Sequence, residues 1–435
     1  MTNRTTIIDI APPVERAFLI AVDTGEDEGW TAEESLAELA SLADTAGAEV
    51  VGVEWQNRRH ADPNWYLGKG KAEELASARA ETGFTLLIAD DELKPNQQKA
   101  LESLLGVKIL DRSGLILDIF AQHARTHEGR LQVELAQMEY QLPRLTRLWT
   151  HLSRTQGGIG SRGPGESQLE TDRRIIRQRI SKLKERVEDV RRQRETASRA
   201  RDRRLSTTVS IVGYTNAGKS SLLNALTGTE AARAEDRLFA TLDPTSRNVK
   251  LGDGQSVIMT DTVGFIHKLP HQLVEAFRAT LEEVVRADVL IEVIDASDRH
   301  APEHRRTVQT VLDDLGAGDK PRLVVWNKVD LLEPAALDPD APAPVVAGEV
   351  SVSAVTGYGM DTLRTTLAAL LADLWEDVDV TLPYSEGELL ARIRERGTVE
   401  IDYRGTDVLV QGRVAPAMAG ELRAAAERWT RAQAG

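Results

Sequence analysis

The chain is predicted to be an α/β protein of several domains. Three observations predict this. Strand-like and helix-like runs alternate over residues 17–112 and again from Thr208, the stretch 114–203 between them carries no strand signal, and 435 residues are too many for one core. A hydrophobic content of 41% is ordinary. The absence of cysteine excludes disulfides, thiolate catalysis and Cys-type zinc sites, and it suits a reducing, cytoplasmic setting. Residues 1–10 form no signal peptide. The longest apolar runs, such as Val289 to Ile294, are only strand-length, so no membrane partner is expected.

The elements follow in order. Residues 1–112 form an N-terminal parallel α/β domain, with strands at 17–22, 49–53, 84–88 and 107–110 and helices at 31–45, 71–81 and 96–105. Residues 113–204 form a long helical hairpin. Its first arm, 115–155, is broken near Pro143. Its tip, 156–165, holds five glycines and a proline, and its second arm, 166–204, spaces Ile175, Ile176, Ile180, Leu183, Val187 and Val190 helically. Residues 205–375 resume the alternation. Strands are expected at 208–212, 246–251, 255–260, 288–295, 322–327 and 345–353, with Gly252-Asp253-Gly254 turning an antiparallel pair and Pro334 to Pro344 forming a surface loop. Residues 376–435 form a small C-terminal α+β domain with strands at 378–382, 398–403 and 407–412 and helices at 386–396 and 417–429.

Charge is unevenly spread. Residues 140–204 carry 18 Lys or Arg against 8 Asp or Glu, in a chain whose net charge is −14. One basic segment in an acidic protein provides a local field for a polyanion.

Gly213, Tyr214, Thr215, Asn216, Ala217, Gly218, Lys219 and Ser220 follow a β-branched run and precede a helix, the setting of a phosphate-binding loop. Backbone N–H groups there converge on a β-phosphate beside a helix N-terminus. Lys219 is expected to reach the β and γ phosphates, and the Ser220 hydroxyl to bind Mg²⁺. Asp261-Thr262-Val263-Gly264 begins 48 residues after Gly213, at a strand end. Asp261 is positioned to hold Mg²⁺ through a water, and the Gly264 amide to donate to the γ-phosphate. Asn327-Lys328-Val329-Asp330 closes another strand. The Asp330 carboxylate accepts from the N1–H and exocyclic amine of guanine, a donor pair that adenine lacks. Ser353-Ala354-Val355 ends the next strand, where a backbone N–H would meet guanine O6. All four segments sit at the C-terminal ends of predicted strands, where open α/β sheets bind ligands. Together they predict a P-loop GTPase domain with a mixed, Ras-like sheet, binding GTP and GDP.

Phe239-Ala240-Thr241-Leu242-Asp243-Pro244-Thr245 lies where a γ-phosphate-sensing loop belongs. Thr241 is the first candidate for a second hydroxyl on Mg²⁺, with Thr245 as its rival. Lys219, Thr241, Gly264 and Asn216 are the residues expected to serve catalysis. The position after Gly264, where many small GTPases carry a water-orienting Gln, is Phe265. Unaided hydrolysis should therefore be slow and need a partner or a rearranged loop. Asn216 has two readings of equal weight: a turn-stabilising amide, or a ligand of a K⁺ ion that supplies positive charge beside the phosphates.

Residues 157–174, Gly-Gly-Ile-Gly-Ser-Arg-Gly-Pro-Gly-Glu-Ser-Gln-Leu-Glu-Thr-Asp-Arg-Arg, place a glycine-rich tip with Arg162 ahead of an Arg-rich helix. A charge run is usually a solvated face. Pinned between two helices, this one reads as a probe for a structured polyanion such as RNA. Gly68-Lys69-Gly70-Lys71 reads as a turn and helix start, with a phosphate grip on RNA as the alternative. His267 and His271 read as loop residues.

With these segments and Tyr66-Leu67-Gly68-Lys69-Gly70-Lys71, the chain resembles the HflX family of ribosome-associated GTPases over most of its length. The 157–174 signature is the specific part, and Phe265 agrees with it. The resemblance implies binding to the large ribosomal subunit through the basic hairpin 140–204, with the tip directed toward the catalytic centre of that subunit. It further implies splitting or rescue of stalled or resting ribosomes. A monomer is expected. The competing readings are a signalling GTPase with a protein partner and a ribosome assembly factor that needs only nucleotide binding.

Overall fold

The structure is a computed structural model. It describes residues 14–25, 29–144, 164–202, 207–228, 238–251, 256–270, 278–332, 345–346, 348–396, 398–414 and 416–434. The first ten residues, the tip up to residue 163 with Arg162, the turn 252–254, the loop 334–344 and His271 lie outside the described residues. The chain divides into two compact units, 1–187 with 268–276 and 188–267 with 277–435.

In the first unit, β1 (Arg16–Asp23), β2 (Glu49–Asn57), β3 (Leu86–Ala89) and β4 (Lys108–Asp111) form a parallel sheet in the order β2-β1-β3-β4. Residues 17–22 of β1 are all buried, as a central strand covered on both faces requires. The connections are α1 (Ala32–Thr45), α2 (Lys69–Thr82) and α3 (Pro95–Leu105). The start of α1 is set by a capping box between Thr31 and Glu34. Lys69-Gly70-Lys71 opens α2. Lys71 pairs with Glu54 at 2.7 Å and Glu74 at 3.3 Å, and Lys69 with Glu73 at 3.7 Å, which accords with the turn-and-helix-start reading.

The first arm of the helical region breaks earlier than expected. It consists of α4 (Arg112–His123) and α5 (His127–Arg144), and Pro143 lies inside α5. Ala124 leaves the helix with ψ 111°, and the Thr126 hydroxyl accepts from the Gly129 amide at 2.9 Å, which caps a new helix. The long second arm is α6 (Pro164–Asp202), so the last two residues assigned to the tip are helical. Pro at the first helical position costs no hydrogen bond. Ion pairs Arg179–Glu134 at 2.5 Å and Lys184–Glu139 at 2.8 Å join α6 to α5, and Ile180 and Leu183 are buried.

A buried charge network locks this unit. Arg112, 1% exposed, donates to Asp90 at 2.5 Å, to Glu38 at 2.7 Å and to the Ser35 carbonyl at 3.1 Å. Lys268, grouped with this unit, pairs with Asp90 and Asp91 at 2.8 Å each. Burial pushes the Asp90 pKa up. The charges of Arg112 and Lys268 outweigh that and hold it well below the usual carboxylate range.

The second unit contains a seven-stranded sheet in the order β10-β11-β9-β8-β5-β7-β6. Its strands are β5 (Thr208–Gly213), β6 (Thr245–Lys250), β7 (Ser256–Asp261), β8 (Val289–Asp295), β9 (Arg322–Asn327), β10 (Val345–Val346) and β11 (Glu349–Ser351). Its helices are α7 (Lys219–Thr227), α8 (Arg278–Arg286), α9 (Ala301–Asp314) and α10 (Met360–Asp373). The pairs β6–β7 and β10–β11 are antiparallel and the others parallel, so the sheet is mixed. The single strand expected over 345–353 is instead a short hairpin, with only β11 pairing β9. The core between sheet and helices includes Ile211, Leu222, Ile291, Val325 and Leu363.

The same unit ends in β12 (Glu376–Pro383), α11 (Gly387–Arg396), β13 (Thr398–Arg404), β14 (Asp407–Val414) and α12 (Pro416–Ala434). The strands form an antiparallel sheet in the order β12-β14-β13, around a core that includes Leu382, Ile393, Val410 and Leu422. Among the described residues, no helix is long and apolar enough to cross a membrane.

Candidate nucleotide site

The C-terminal ends of β5, β7 and β9 bring three of the sequence segments together. Gly213 ends β5, the loop 214–218 follows, and Lys219 opens α7. Gly218 has φ +91°, and a Cβ there would collide with the Asn327 amide nitrogen. Only glycine provides both that backbone and that space. Lys219, 7% exposed, donates from Nζ to the carbonyls of Tyr214 at 2.7 Å and Gly213 at 3.2 Å. Burial pulls its pKa down to about 8, with Asp261 opposing and Lys328 assisting. Asn216 is exposed at φ +59°.

Three oxygen-bearing side chains converge beside Lys219. Ser220 Oγ donates to Asp261 Oδ2 at 2.6 Å. Thr241 Oγ1 lies 3.0 Å from the same carboxylate oxygen and 2.9 Å from Ser220 Oγ. Thr245 instead pairs with Asp261 in the β6–β7 ladder. Thr241 is held there by its neighbours, because Phe239 and Leu242 are 3% and 2% exposed. Ala240 and Asp243 are half-buried beside them. Asp261 is fully buried, its Oδ1 has no hydrogen-bond partner, and burial pushes its pKa up against Ser220, Lys219 and Thr241. Two hydroxyls and a carboxylate with one unengaged oxygen form a hard donor set that fits Mg²⁺. Among the described residues no group of three or more His, Asp or Glu offers another metal site.

The segment after Asp261 lies along the phosphate loop. Thr262 Oγ1 donates to the Ile211 carbonyl at 2.6 Å, and Val263 is 6% exposed. A Cβ on Gly264 would stand 2.8 Å from Thr215 Cα and 2.9 Å from Lys219 Nζ, so a larger residue would hold this segment off the loop. Phe265 is 1% exposed. Its N–H donates to the Gly213 carbonyl at 3.1 Å, and its carbonyl accepts from the Thr215 amide at 2.7 Å.

The third strand end is braced by Asn327. Its Nδ2 donates to the Ala217 carbonyl at 2.9 Å, and its Oδ1 accepts from the Ala354 amide at 3.1 Å. This residue ties the phosphate loop to the loop at 353–355 and engages the Ala354 amide, one of the backbone N–H groups of the segment expected to meet guanine O6. Val329 is buried in the short helical turn that follows Asn327 and Lys328. Lys328, at φ +63°, pairs with Asp295 at 2.8 Å. Asp330 Oδ1 is buried without a hydrogen-bond partner, the state expected of a carboxylate shaped to receive donors from a base. Ser353 is fully buried, and its hydroxyl accepts from the Thr356 amide at 3.1 Å, whereas Val355 is 84% exposed.

Comparison with known proteins agrees with this geometry. A family profile described as 50S ribosome-binding GTPase matches residues 208–328. Profiles described as GTP-binding GTPase N-terminal and GTP-binding GTPase Middle Region match residues 33–121 and 123–201. GTPase HflX of Caldanaerobacter subterraneus subsp. tengcongensis is 47% identical over 405 residues, covering 92% of this chain and 91% of that protein. The chain belongs to the HflX family of GTPases. A second HflX relative, from Escherichia coli, is 44% identical over 393 residues, covering 90% of this chain and 91% of its own length. Like its HflX relatives the chain is a GTPase, with a domain of the ribosome-binding GTPase type. One contact of the site is invisible to motif reading. His304, on α9, stacks on Tyr214 although 90 positions separate them, and no pattern marks the pair.

Proposed function

We propose that this chain is a GTP-driven switch that docks on the large ribosomal subunit and splits or rescues stalled or resting ribosomes. One observation carries the docking step. The described part of α6 exposes Arg174, Arg177, Lys182 and Arg186, so this helix presents cations on a chain of net charge −14. Membership of the HflX family supports the same partner.

At the nucleotide site, Lys219 and the amides of 216–220 hold the phosphates, and Ser220 and Thr241 would hold Mg²⁺, with Asp261 acting through a water. A bound Mg²⁺ would supply positive charge against the charge developing on the phosphates. Gly264 senses the γ-phosphate, and Asp330 selects guanine. GTP keeps 239–245 and 261–266 closed; hydrolysis releases them and lowers affinity for the ribosome. Phe265 can neither donate nor accept through its side chain, so turnover is slow until the ribosome completes the site. Asn216 helps hold K⁺ there, so replacing K⁺ by Na⁺ should change the rate. The chain acts as a cytoplasmic monomer. Its working parts are the domains 1–112, 113–204, 205–375 and 376–435, and limited proteolysis near residues 204 and 375 checks the last two boundaries.

The test is sedimentation of the chain with purified large subunits through a sucrose cushion. A non-hydrolysable GTP analogue should carry the chain into the pellet at about 0.1 M salt. GDP should not, and about 0.3 M salt should release it, since phosphate contacts are lost with rising salt. Equal sedimentation with GDP and the analogue, or none with either, sinks the reading.

A further inference from the structure

The phosphate loop and the segment after Gly264 are joined by three hydrogen bonds, and the third differs in kind from the others. The first two run between backbone groups, Phe265 N–H to the Gly213 carbonyl and Thr215 N–H to the Phe265 carbonyl. In the third, the His267 amide donates to the Tyr214 hydroxyl at 2.6 Å. A side chain thus extends a backbone ladder by one rung. That side chain is itself clamped. The Tyr214 ring is 5% exposed and lies on the His304 imidazole with centroids 3.6 Å apart and planes 11° from parallel. His304, 9% exposed, is fixed in the first turn of α9.

The ladder occurs together with contacts of the Thr241 hydroxyl to Ser220 and Asp261. Gly264 stands immediately before it, against Thr215 and Lys219. A shift of the 265–267 turn therefore moves the Gly264 amide relative to the γ-phosphate position. Such displacements, even of about 1 Å, change rates far more than binding.

We propose that Tyr214 is a positioning residue for GTP hydrolysis: its hydroxyl pins the 265–267 turn, and His304, by stacking, aims that hydroxyl. The base-recognition segment plays no part in the pin, and neither do the phosphate-binding amides of 216–220. The pin therefore acts on the hydrolytic step and not on nucleotide affinity.

The test is single-turnover GTP hydrolysis by the full chain without ribosomes, beside GDP affinity measured with a fluorescent GDP analogue. Tyr214→Phe removes the hydroxyl and keeps the stacked ring. It should lower kcat about five-fold, the worth of one ordinary hydrogen bond, and leave GDP affinity within about two-fold. His304→Ala should lower kcat similarly, His304→Phe should restore most of it, and His304→Ala should add little in the Tyr214→Phe background. The inference rests on the phosphate-loop reading above, and GDP affinity reports on that reading separately. An unchanged kcat in Tyr214→Phe overturns the pin. So does GDP affinity falling as far as kcat, or an undiminished His304→Ala effect in the Tyr214→Phe background. Should His304→Ala not fold, Tyr214→Phe decides alone.

Discussion

Lys219 is the residue at which fold and function pull hardest against each other. Its ammonium is buried and faces Lys328, with only carbonyl oxygens and Asp261 to offset the loss of water, so its pKa falls to about 8. The sign follows directly. A lysine titrates lower in the folded chain than in the unfolded one, so the folded state binds fewer protons between about pH 8 and the ordinary lysine value near 10.4. Its burial costs stability to the ligand-free protein at neutral pH, and the cost lessens as pH rises. Phosphates need the charged form. Affinity for GDP should therefore be flat below pH 8 and fall about ten-fold per pH unit above about 8. A fluorescence titration between pH 7 and 9.5 checks this, and a flat profile contradicts it. The identity of Lys219 and its neighbours was legible in the sequence because a phosphate loop is a local pattern. The orphaned oxygens of Asp261 and Asp330 also sit on residues that motif reading named. The Asn327 brace and the Tyr214–His304 stack were not legible, because each joins side chains far apart in sequence.

Among the elements, strands and helices with clear periodicity were legible, most of them to within a few residues. The departures have local causes. The break expected near Pro143 falls instead before Thr126, whose hydroxyl caps the start of α5, while Pro143 stays inside that helix. The run 345–353 is apolar enough for one strand, and apolarity cannot reveal that β10 turns back on β11. Arg112 had no role in the sequence reading beyond a domain bound. In fact it ties α1 and β3 to the start of α4 through Glu38, Ser35 and Asp90. Replacing it with Met leaves Asp90 and Glu38 buried beside an apolar side chain, which should cost about 3–5 kcal/mol. Asp90 titrates low in the folded chain, so the stability it contributes is present above the ordinary carboxylate pKa and is lost as pH falls. The deficit of Arg112→Met should therefore be large at pH 7, nearly as large at pH 4, and shrink only below the ordinary carboxylate pKa. Urea unfolding at the two pH values measures it, and a deficit below about 1 kcal/mol at pH 7 contradicts the buried-charge account.

For the whole molecule, the decisive contrast is between an acidic chain and a basic helical region. The charge asymmetry was visible in composition, and the exposure of Arg174, Lys182 and Arg186 gives it a surface. The nucleotide site lies in the second unit. It assembles Ser220, Thr241 and Asp261, and Phe265 offers no polar side-chain group to water, which supports the proposal of slow unaided hydrolysis. In the proposed function the ribosome completes the hydrolytic site. The most direct measurement is steady-state GTP turnover with and without purified large subunits, in the wild type and in Arg174→Glu/Lys182→Glu/Arg186→Glu. The account predicts stimulation of at least ten-fold in the wild type, weakened by added salt. The triple variant should lose most of it while keeping the unstimulated rate. Unchanged turnover on adding large subunits, or full stimulation of the charge-reversed chain, contradicts it.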